Sequence, residues 1–204
     1  MQERRSQADR RAATRAALLA AARAEFVERG YAAAATESVV RRAGVTRGAL
    51  YHHFPDKAAL LEAVVEAVAA EIRDAVLAAA DRSPTPRDAL VDGTRAYLDA
   101  CLRVDARSIY LVDGPAVLGW RRWREIDGAY SARLLREGVE EALAGDLARD
   151  SAGRDAAALT TLLSGAFNEA ALWLADAPDD AARRSTLDAT MADLFARLFP
   201  EAPG

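Results

Sequence analysis

Cysteine, histidine and lysine are scarce in this chain of 204 residues. A single cysteine, Cys101, excludes a disulfide framework and any metal cluster held by several cysteines. The two histidines, His52 and His53, are too few for a catalytic zinc held by three histidines. No uncharged apolar run approaches the ~20 residues needed to cross a bilayer, so we expect a cytoplasmic protein with no membrane partner.

Strand signals and enzyme motifs are also lacking. No segment alternates with period two for long enough to form a strand, whereas alanine, leucine, arginine and glutamate are abundant and favour helix. The chain contains no G-x-S-x-G, no G-x-G-x-x-G, no Walker loop and no H-E-x-x-H motif. We therefore expect neither an enzyme nor a metal or organic cofactor.

The positions of turn and capping residues predict an all-α fold of about nine helices. Thr14, Thr36, Thr46 and Asp56 are the predicted N-caps of the first four helices, and Gly30 and Gly44 are predicted to end the first two. Asp113, before Gly114-Pro115, fits a turn residue, with a ligand contact as the alternative. The later helices are predicted after the linker Ser83-Pro84-Thr85-Pro86, at about 105–112, from Pro115 to about Leu143, and at roughly 155–176 and 180–199.

Charge is distributed unevenly along the chain. Residues 1–57 contain eleven basic and six acidic side chains, and the remainder contains sixteen basic and twenty-five acidic ones. A basic head on an acidic body indicates a polyanionic partner for the head, although a chance imbalance is the alternative. The first arginines, Arg4, Arg5, Arg10 and Arg11, fit either an arm that enters a DNA minor groove or a solvated tail.

Residues 36–54, TESVVRRAGVTRGALYHHF, have the spacing of a helix-turn-helix. Gly44 supplies the left-handed conformation that the sharp turn needs, and Val40, Val45 and Leu50 are predicted to seal the core between the two helices. The second helix then exposes side chains that can reach base edges or phosphates in a major groove. Lys57, at the start of the next helix, is placed to hold one phosphate. The predicted DNA contacts are Thr36, Thr46, Arg47, Gly48, Tyr51, His52, His53 and Lys57.

Two of these assignments have alternatives. Tyr51 fits either a phosphate contact or an exposed aromatic side chain. His52 and His53 fit either DNA contact and helix packing or a metal pair, but adjacent residues on a helix point about 100° apart, which makes joint ligation poor.

Over about residues 14–61 the sequence resembles the TetR-type transcriptional regulators. The resemblance rests on Ala21-Ala22 and Phe26 in the first helix, Gly30-Tyr31, Ala43-Gly44-Val45, Leu50-Tyr51, His53-Phe54, Lys57 and Leu60. The stretch from Tyr31 to Ala35 departs from the family pattern, because it has alanine where the family often has threonine or valine.

The resemblance implies a homodimer of all-helical subunits that binds a near-palindromic double-stranded DNA operator. It implies an N-terminal DNA-binding domain, which we place at 1–57, and a C-terminal domain at 58–204 for dimerisation and for binding a small organic effector. The last two helices of such proteins usually form the dimer interface. Their apolar stripes here are Leu159, Leu163, Ala166, Ala170, Leu187, Met191, Leu194 and Leu198.

Aromatic side chains near the Gly114-Pro115 break, together with one amide, are the candidate effector contacts. Asn168 lies on the face of its helix opposite Ala166 and Ala170, so it fits either a ligand contact or an amide bonded to a neighbouring carbonyl. The predicted effector-binding residues are Tyr97, Tyr110, Trp120, Trp123, Asn168 and Leu172.

The sequence therefore predicts a ligand-responsive transcriptional regulator that acts as a repressor. An effector-independent architectural DNA-binding factor, a helical enzyme and an activator are the alternatives. Absence of a cavity in the C-terminal body would favour the architectural factor.

Overall fold

The structure, a computed structural model, describes residues 6–146 and 155–200. Arg4 and Arg5 of the predicted arm, and most of the predicted polar loop at 145–153, lie outside these residues. Ten α-helices and one π-helical segment follow each other within them: α1 Gln7–Ala33, α2 Thr36–Ala43, α3 Arg47–His53, α4 Lys57–Ala80, α5 Pro86–Leu102, the π segment Ala106–Asp113, α6 Gly114–Leu118, α7 Trp120–Ala129, α8 Ser131–Asp146, α9 Ala156–Ala175 and α10 Ala181–Leu198. The all-α fold is confirmed.

Helix α1 is longer at both ends than predicted. Ser6, not Thr14, caps it: the Asp9 N–H donates to Ser6 Oγ over 3.1 Å, and the Ser6 N–H donates to Asp9 Oδ2 over 3.0 Å. This reciprocal pair satisfies two donors that a helix start leaves free. Gly30 has the non-helical angles φ 69° and ψ 161°, so the regular helix breaks there as predicted, and one further helical turn continues to Ala33.

The helix-turn-helix forms largely as the capping residues indicate. Gly44 adopts the left-handed conformation at φ 66°. Thr46 caps α3 by accepting from the Ala49 N–H over 3.2 Å, and Asp56 caps α4 by accepting from the Ala59 N–H over 2.7 Å. The prediction for Thr36 is wrong: Ala35 precedes α2, and no side chain caps that helix.

The helix predicted at 115–143 is divided into three in the structure. Gly119 has φ 81° and separates α6 from α7, and Tyr130 has φ −117° and ψ −89° and separates α7 from α8. The preceding segment is π-helical rather than α-helical. A Cβ at Gly114 would lie 3.0 Å from both the Ile109 carbonyl oxygen and Trp123 Cδ1. Glycine therefore allows the π segment and α7 to approach closely at this turn.

A continuous apolar core joins the head to the body. Leu18, Phe26 and Leu50 are buried between α1, α2 and α3, and the stripe of α4 from Leu60 to Ile72 is buried against the helices that follow. Helix α4 would span about 36 Å at 1.5 Å per residue, so it runs from the head through the body. Within the residues described, no helix has both the length and the apolarity that spanning a bilayer requires.

Candidate DNA-binding face and internal cavity

The outer face of α3 carries the predicted base-reading side chains. Thr46, Arg47, Gly48, Tyr51 and His52 are exposed along it. The Leu50 side chain, on the opposite face, is fully buried and holds α3 against the core of the head. Because α3 presents polar groups outward from a rigid support, it has the form of a helix that can enter a major groove.

Arg47 is placed by two weak contacts. Its Nη1 lies 3.5 Å from Glu37 Oε1 on α2, and its guanidinium carbon lies 5.5 Å from the centre of the Tyr51 ring. The Arg47 side chain is 69% exposed, so these contacts orient it without removing it from solvent. An exposed ion pair of this kind contributes little, about 0–1 kcal/mol, and can be exchanged for a nucleic-acid partner.

The first turns of α1 lie beside the end of α3. Arg10, Arg11 and Thr14 share a shallow cleft with His52 and His53. The pKa of His53 is lowered by partial burial and by the neighbouring cationic groups, Arg11 among them. Arg10 and Arg11 therefore reach the DNA-binding face from a helix, which differs from the arm expected from the sequence.

Lys57 has internal partners that the sequence did not reveal. Its Nζ donates to the Tyr31 carbonyl over 2.8 Å and to the Ala34 carbonyl over 3.1 Å, and lies 4.4 Å from the Tyr31 ring centre. Tyr31 lies in the last turn of α1 and Ala34 directly follows it, and a cation is favoured at this end of a helix. Lys57 thus fastens α4 to the end of α1, and its phosphate contact stays a prediction.

Helix α2 is fastened to α1 by charged groups that sequence reasoning did not single out. Arg42 makes a two-pronged contact with Glu28, with nitrogen-to-oxygen distances of 2.8 and 2.6 Å. Glu25 is buried beside Arg29 and Arg42. The sequence does contain acidic residues in the second half of α1 and arginines at the end of α2. Which of them pair depends on how the two helices cross, and the sequence alone does not give that geometry.

The body contains a cavity of about 200 Å³ enclosed by α4, α5, α8 and α9, with one residue from α7. Most of its wall is apolar, including Val76, Leu77, Leu90, Leu135 and Phe167. Polar side chains also line it: Thr94, Tyr97, Asp127, Ser131, Glu137, Glu141, Ser164 and Asn168. An apolar chamber with a few convergent polar groups is the usual form of a small-molecule site.

Tyr97 and Asn168, both predicted as effector contacts, meet at the cavity wall. The Tyr97 hydroxyl donates to Asn168 Oδ1, and both side chains are buried. Burial raises the pKa of Tyr97 well above its usual value, so its hydroxyl stays protonated. The partner of Asn168 is thus a phenol, rather than the neighbouring carbonyl that was the alternative.

Asp127 is the charged group at the buried end of the cavity and was not predicted. It is 2% exposed, and its Oδ1 accepts from the Tyr110 hydroxyl over 2.7 Å. Arg124 donates to Asp127 Oδ2 and, over 2.9 Å, to Ser164 Oγ. Burial raises the pKa of the Asp127 carboxyl, while Tyr110 and Arg124 oppose that rise.

Ser131 lies next to this group. Its hydroxyl is close enough to Tyr110 to offset part of the rise in that phenol's pKa, but its buried Oγ has no hydrogen-bond partner of ordinary geometry among the residues described. Trp123, Asp127 and Ser131 are spaced four residues apart. This spacing places the polar residues Asp127 and Ser131 on the same helical stripe as the apolar Trp123. Polar residues on such a stripe were the sequence signal for the buried end of the cavity.

Four predicted effector contacts lie away from the cavity. Tyr110 and Trp123 are buried in the core, where Trp123 Nε1 donates to the Tyr110 carbonyl over 2.7 Å. Trp120 is 64% exposed and stacks on Trp123, with ring centres 5.1 Å apart. Leu172 is exposed on the outer side of α9. Tyr110 touches the cavity's polar end through its hydrogen bond to Asp127 and its approach to Ser131.

The stripes predicted for dimerisation are divided between the inside and the outside of the subunit. Leu163 and Met191 are buried within the chain's own core, and Leu159, Ala170, Leu187 and Leu198 pack against that core. Ala166 and Leu194 are exposed, as predicted. We define the outer face of α9 and α10 by Leu162, Ala166, Leu172, Trp173 and Leu194. It shares Ala166 and Leu194 with the predicted set and adds Leu162, Leu172 and Trp173.

Comparisons with known proteins agree with this architecture. Residues 18–64 match the family model "Bacterial regulatory proteins, tetR family", and residues 87–198 match "Tetracyclin repressor-like, C-terminal domain". A TetR-family transcriptional regulator from Pectobacterium atrosepticum is 35% identical, with 98% of this chain and 100% of that chain covered and a TM-score of 0.74. The chain therefore belongs to the TetR family of transcriptional regulators, which bind DNA through a helix-turn-helix.

Two curated relatives match over shorter segments. The transposon Tn10 TetC protein of Escherichia coli is 29% identical over 130 residues, which are 64% of this chain and 66% of that protein. The HTH-type transcriptional regulator CymR of Pseudomonas putida is 47% identical over 64 residues, 31% of this chain and 32% of that protein. The chain thus spans two thirds or less of these relatives' lengths.

Proposed function

We propose that this protein is a repressor that binds a palindromic operator as a homodimer and releases it when a small organic effector occupies the cavity. The observation that carries the proposal is the presence, in one chain, of an exposed α3 and a cavity with polar side chains at its buried end. A DNA-binding factor with no effector is disfavoured, because it has no need of such a cavity. A cytoplasmic location follows from the proposed DNA target.

The proposed DNA contacts combine base reading with phosphate binding. Arg47, in the first turn of α3, has the forked geometry that suits a guanine edge. Thr36, Thr46, Tyr51 and His52 are placed around it, with Gly48, His53 and Lys57, to contact phosphates or neighbouring bases. Because a monomer would present one α3, the operator half-sites require a second subunit.

The proposed dimer uses the outer face of α9 and α10. Leu162 is 70% exposed and Trp173 is 41% exposed on this face. Large apolar side chains grouped on two neighbouring helices are costly to leave in water, and two-fold pairing buries the same patch on both subunits.

Selection of bound fragments from a random DNA pool tests the DNA-binding part of this proposal. The wild-type protein is expected to return a sequence with two-fold symmetry. Arg47→Ala is expected to lose preference at one base position in each half-site, at a cost of about 1–3 kcal/mol. Arg136→Ala, a change of an exposed arginine on α8, is the matched control and is expected to return the wild-type sequence. An asymmetric sequence would contradict the palindrome, and an unaltered selection by Arg47→Ala would contradict the base contact.

A further inference from the structure

The charged side chains that line the cavity are all acidic. Asp127 lies at the buried end, and Glu137 and Glu141 lie on the solvent side, on exposed positions of α8. Within the residues that the structure describes, no arginine or lysine lines the cavity. Arg124 is the cation nearest to the buried end, and its Nη1 already donates to both Asp127 and Ser164.

The buried end has spare hydrogen-bond acceptors. A carboxylate can accept about four hydrogen bonds, and those described for Asp127 come from Tyr110 and Arg124. Ser131 Oγ lies near Tyr110 but is buried with no hydrogen-bond partner of ordinary geometry among the described residues, although its side chain lines the cavity. A buried polar atom without a partner is costly, so a ligand that satisfies it gains affinity.

The size and wall of the cavity restrict the rest of the ligand. An apolar cavity of about 150 Å³ is enough to take one benzene molecule. The cavity here, at about 200 Å³, fits one ring with a short substituent. Leu90, Leu135 and Phe167 offer such a body apolar contacts along the wall.

We infer that the effector is a small amine with an apolar, single-ring body. Its ammonium group is directed at Asp127 and Ser131, and its ring lies against the apolar wall. This inference deepens the proposed function, since it takes the cavity as the effector site. The ammonium donates charge-assisted hydrogen bonds to the spare acceptors at the buried end. A carboxylate of the same shape meets three acidic side chains and no uncommitted cation, so like-charge repulsion excludes it.

Three isosteric probes test the inference: 2-phenylethylamine, 2-phenylethanol and phenylacetate. Each is titrated calorimetrically into the full-length protein without DNA. The amine is expected to bind at least about tenfold more tightly than the alcohol, and the alcohol at least about tenfold more tightly than the carboxylate. Equal affinities, preference for phenylacetate, or no binding of the amine at about 1 mM would overturn the inference.

Two variants then test whether Asp127 is the side chain that recognises the ammonium group. Asp127→Asn is expected to remove the preference for the amine while the affinity for the alcohol changes by less than about threefold. Glu140→Gln is the matched control: it removes one exposed carboxylate of α8 that does not line the cavity, and it is expected to keep the wild-type ranking. A full amine preference in Asp127→Asn would overturn the inference. The ranking on the wild-type protein decides it even if that variant does not fold.

The ligand class and the proposed function fail separately. If the amine binds in the expected ranking but the protein selects no operator, or the amine does not release it, the repressor mechanism is wrong and the ligand class stands. If a carboxylate releases the operator, the repressor mechanism stands and the ligand class is wrong.

Discussion

The Tyr31 backbone N–H donates a hydrogen bond to Asp113 Oδ2 over 3.1 Å and so joins the end of α1 to the end of the π segment. Eight residues earlier along α1, Arg23 Nε donates over 2.8 Å to Oδ2 of Asp105, the residue that precedes the π segment. Between these two links, Tyr110 of the π segment donates to Asp127 at the cavity. One short segment therefore contacts both the DNA-binding head and the polar end of the cavity.

Replacing Asp113 tests the link to Tyr31. Asp113→Ala leaves a partly buried N–H without its acceptor and is expected to lower the free energy of unfolding by about 1–2 kcal/mol. Asp113→Asn keeps an oxygen acceptor and is expected to cost less than half as much. Urea denaturation followed by circular dichroism measures both, and equal losses in the two variants would show that the acceptor is not the cause.

Arg23, Glu71 and Asp105 form an ion cluster at the second link between α1 and the π segment. This cluster predicts that stability depends on pH. Hydrogen bonds from Arg23 hold the pKa of Glu71 below its ordinary value of 4.5. Burial raises the pKa of Asp105, but Arg23, the Ala106 N–H and Arg103 together hold it below its ordinary value of 3.8. At pH values between the folded-state and unfolded-state pKa values of these two carboxyl groups, the unfolded chain binds more protons than the folded chain. The cluster therefore stabilises the fold fully above these ordinary values, and its contribution is lost as pH falls through the lower folded-state pKa values.

Arg23→Gln is the variant that tests this sign. It is expected to cost about 1–2 kcal/mol at pH 7, after allowance for the partial exposure of Glu71, and the cost is expected to shrink below about pH 4. Arg133→Gln removes an exposed pair with Glu137 and serves as the control, with little effect at either pH. A cost that grows on acidification would contradict the assignment.

Lys57 is expected to act on both stability and DNA binding. Lys57→Met keeps the aliphatic chain but removes the donor to the Tyr31 and Ala34 carbonyls, so we expect a loss of about 1–2 kcal/mol in unfolding free energy. If the ammonium also contacts one phosphate per half-site, the salt slope of operator binding falls by about 2 per dimer. Lys57→Arg, which keeps the charge, is the control for the slope. An unchanged slope in Lys57→Met would confine this residue to its internal role.

Ala166→Arg places a charge in the middle of the outer face of α9 and α10. With no partner in reach, an unpaired charge in a subunit interface is expected to weaken the dimer by several kcal/mol, roughly 3–5. Operator affinity should fall with it, although Arg47 and Lys57 are unchanged. Analytical ultracentrifugation measures the mass, and Ala144→Arg, at an exposed alanine of α8, is the control. A variant that stays fully dimeric would exclude this face from the interface.

The head was more predictable than the body because its signals are local. Gly44, Thr46 and Asp56 each act within a few residues, and all three behave as their sequence context indicates. The carbonyl partners of Lys57 could not be predicted, since they lie more than twenty residues away in sequence. The break at Tyr130 follows Asp127-Gly128, a dipeptide that marks turns, but the apolar spacing on both sides of it favoured one continuous helix.

The two sides of α9 could not be told apart from the sequence for a different reason. Apolar residues occur all around this helix, so periodicity identifies a helix buried on several sides without saying which side faces the chain's own core. Leu163 was placed outside and Leu172 inside, and the structure reverses both. The polar residues were the better guide, because Asn168 does face the cavity.

A small rotation of α1 about Arg23 displaces the N-terminal end of the helix. The axis of α1 extends about 20 Å from Arg23, which the ion cluster holds, to Arg10, which lies beside α3. A rotation of about 3° at the Arg23 end displaces Arg10 by about 1 Å, a distance comparable to the tolerance of a hydrogen bond. If Arg10 and Arg11 contact a DNA backbone, a shift of the π segment that rotates α1 by this angle would break those contacts.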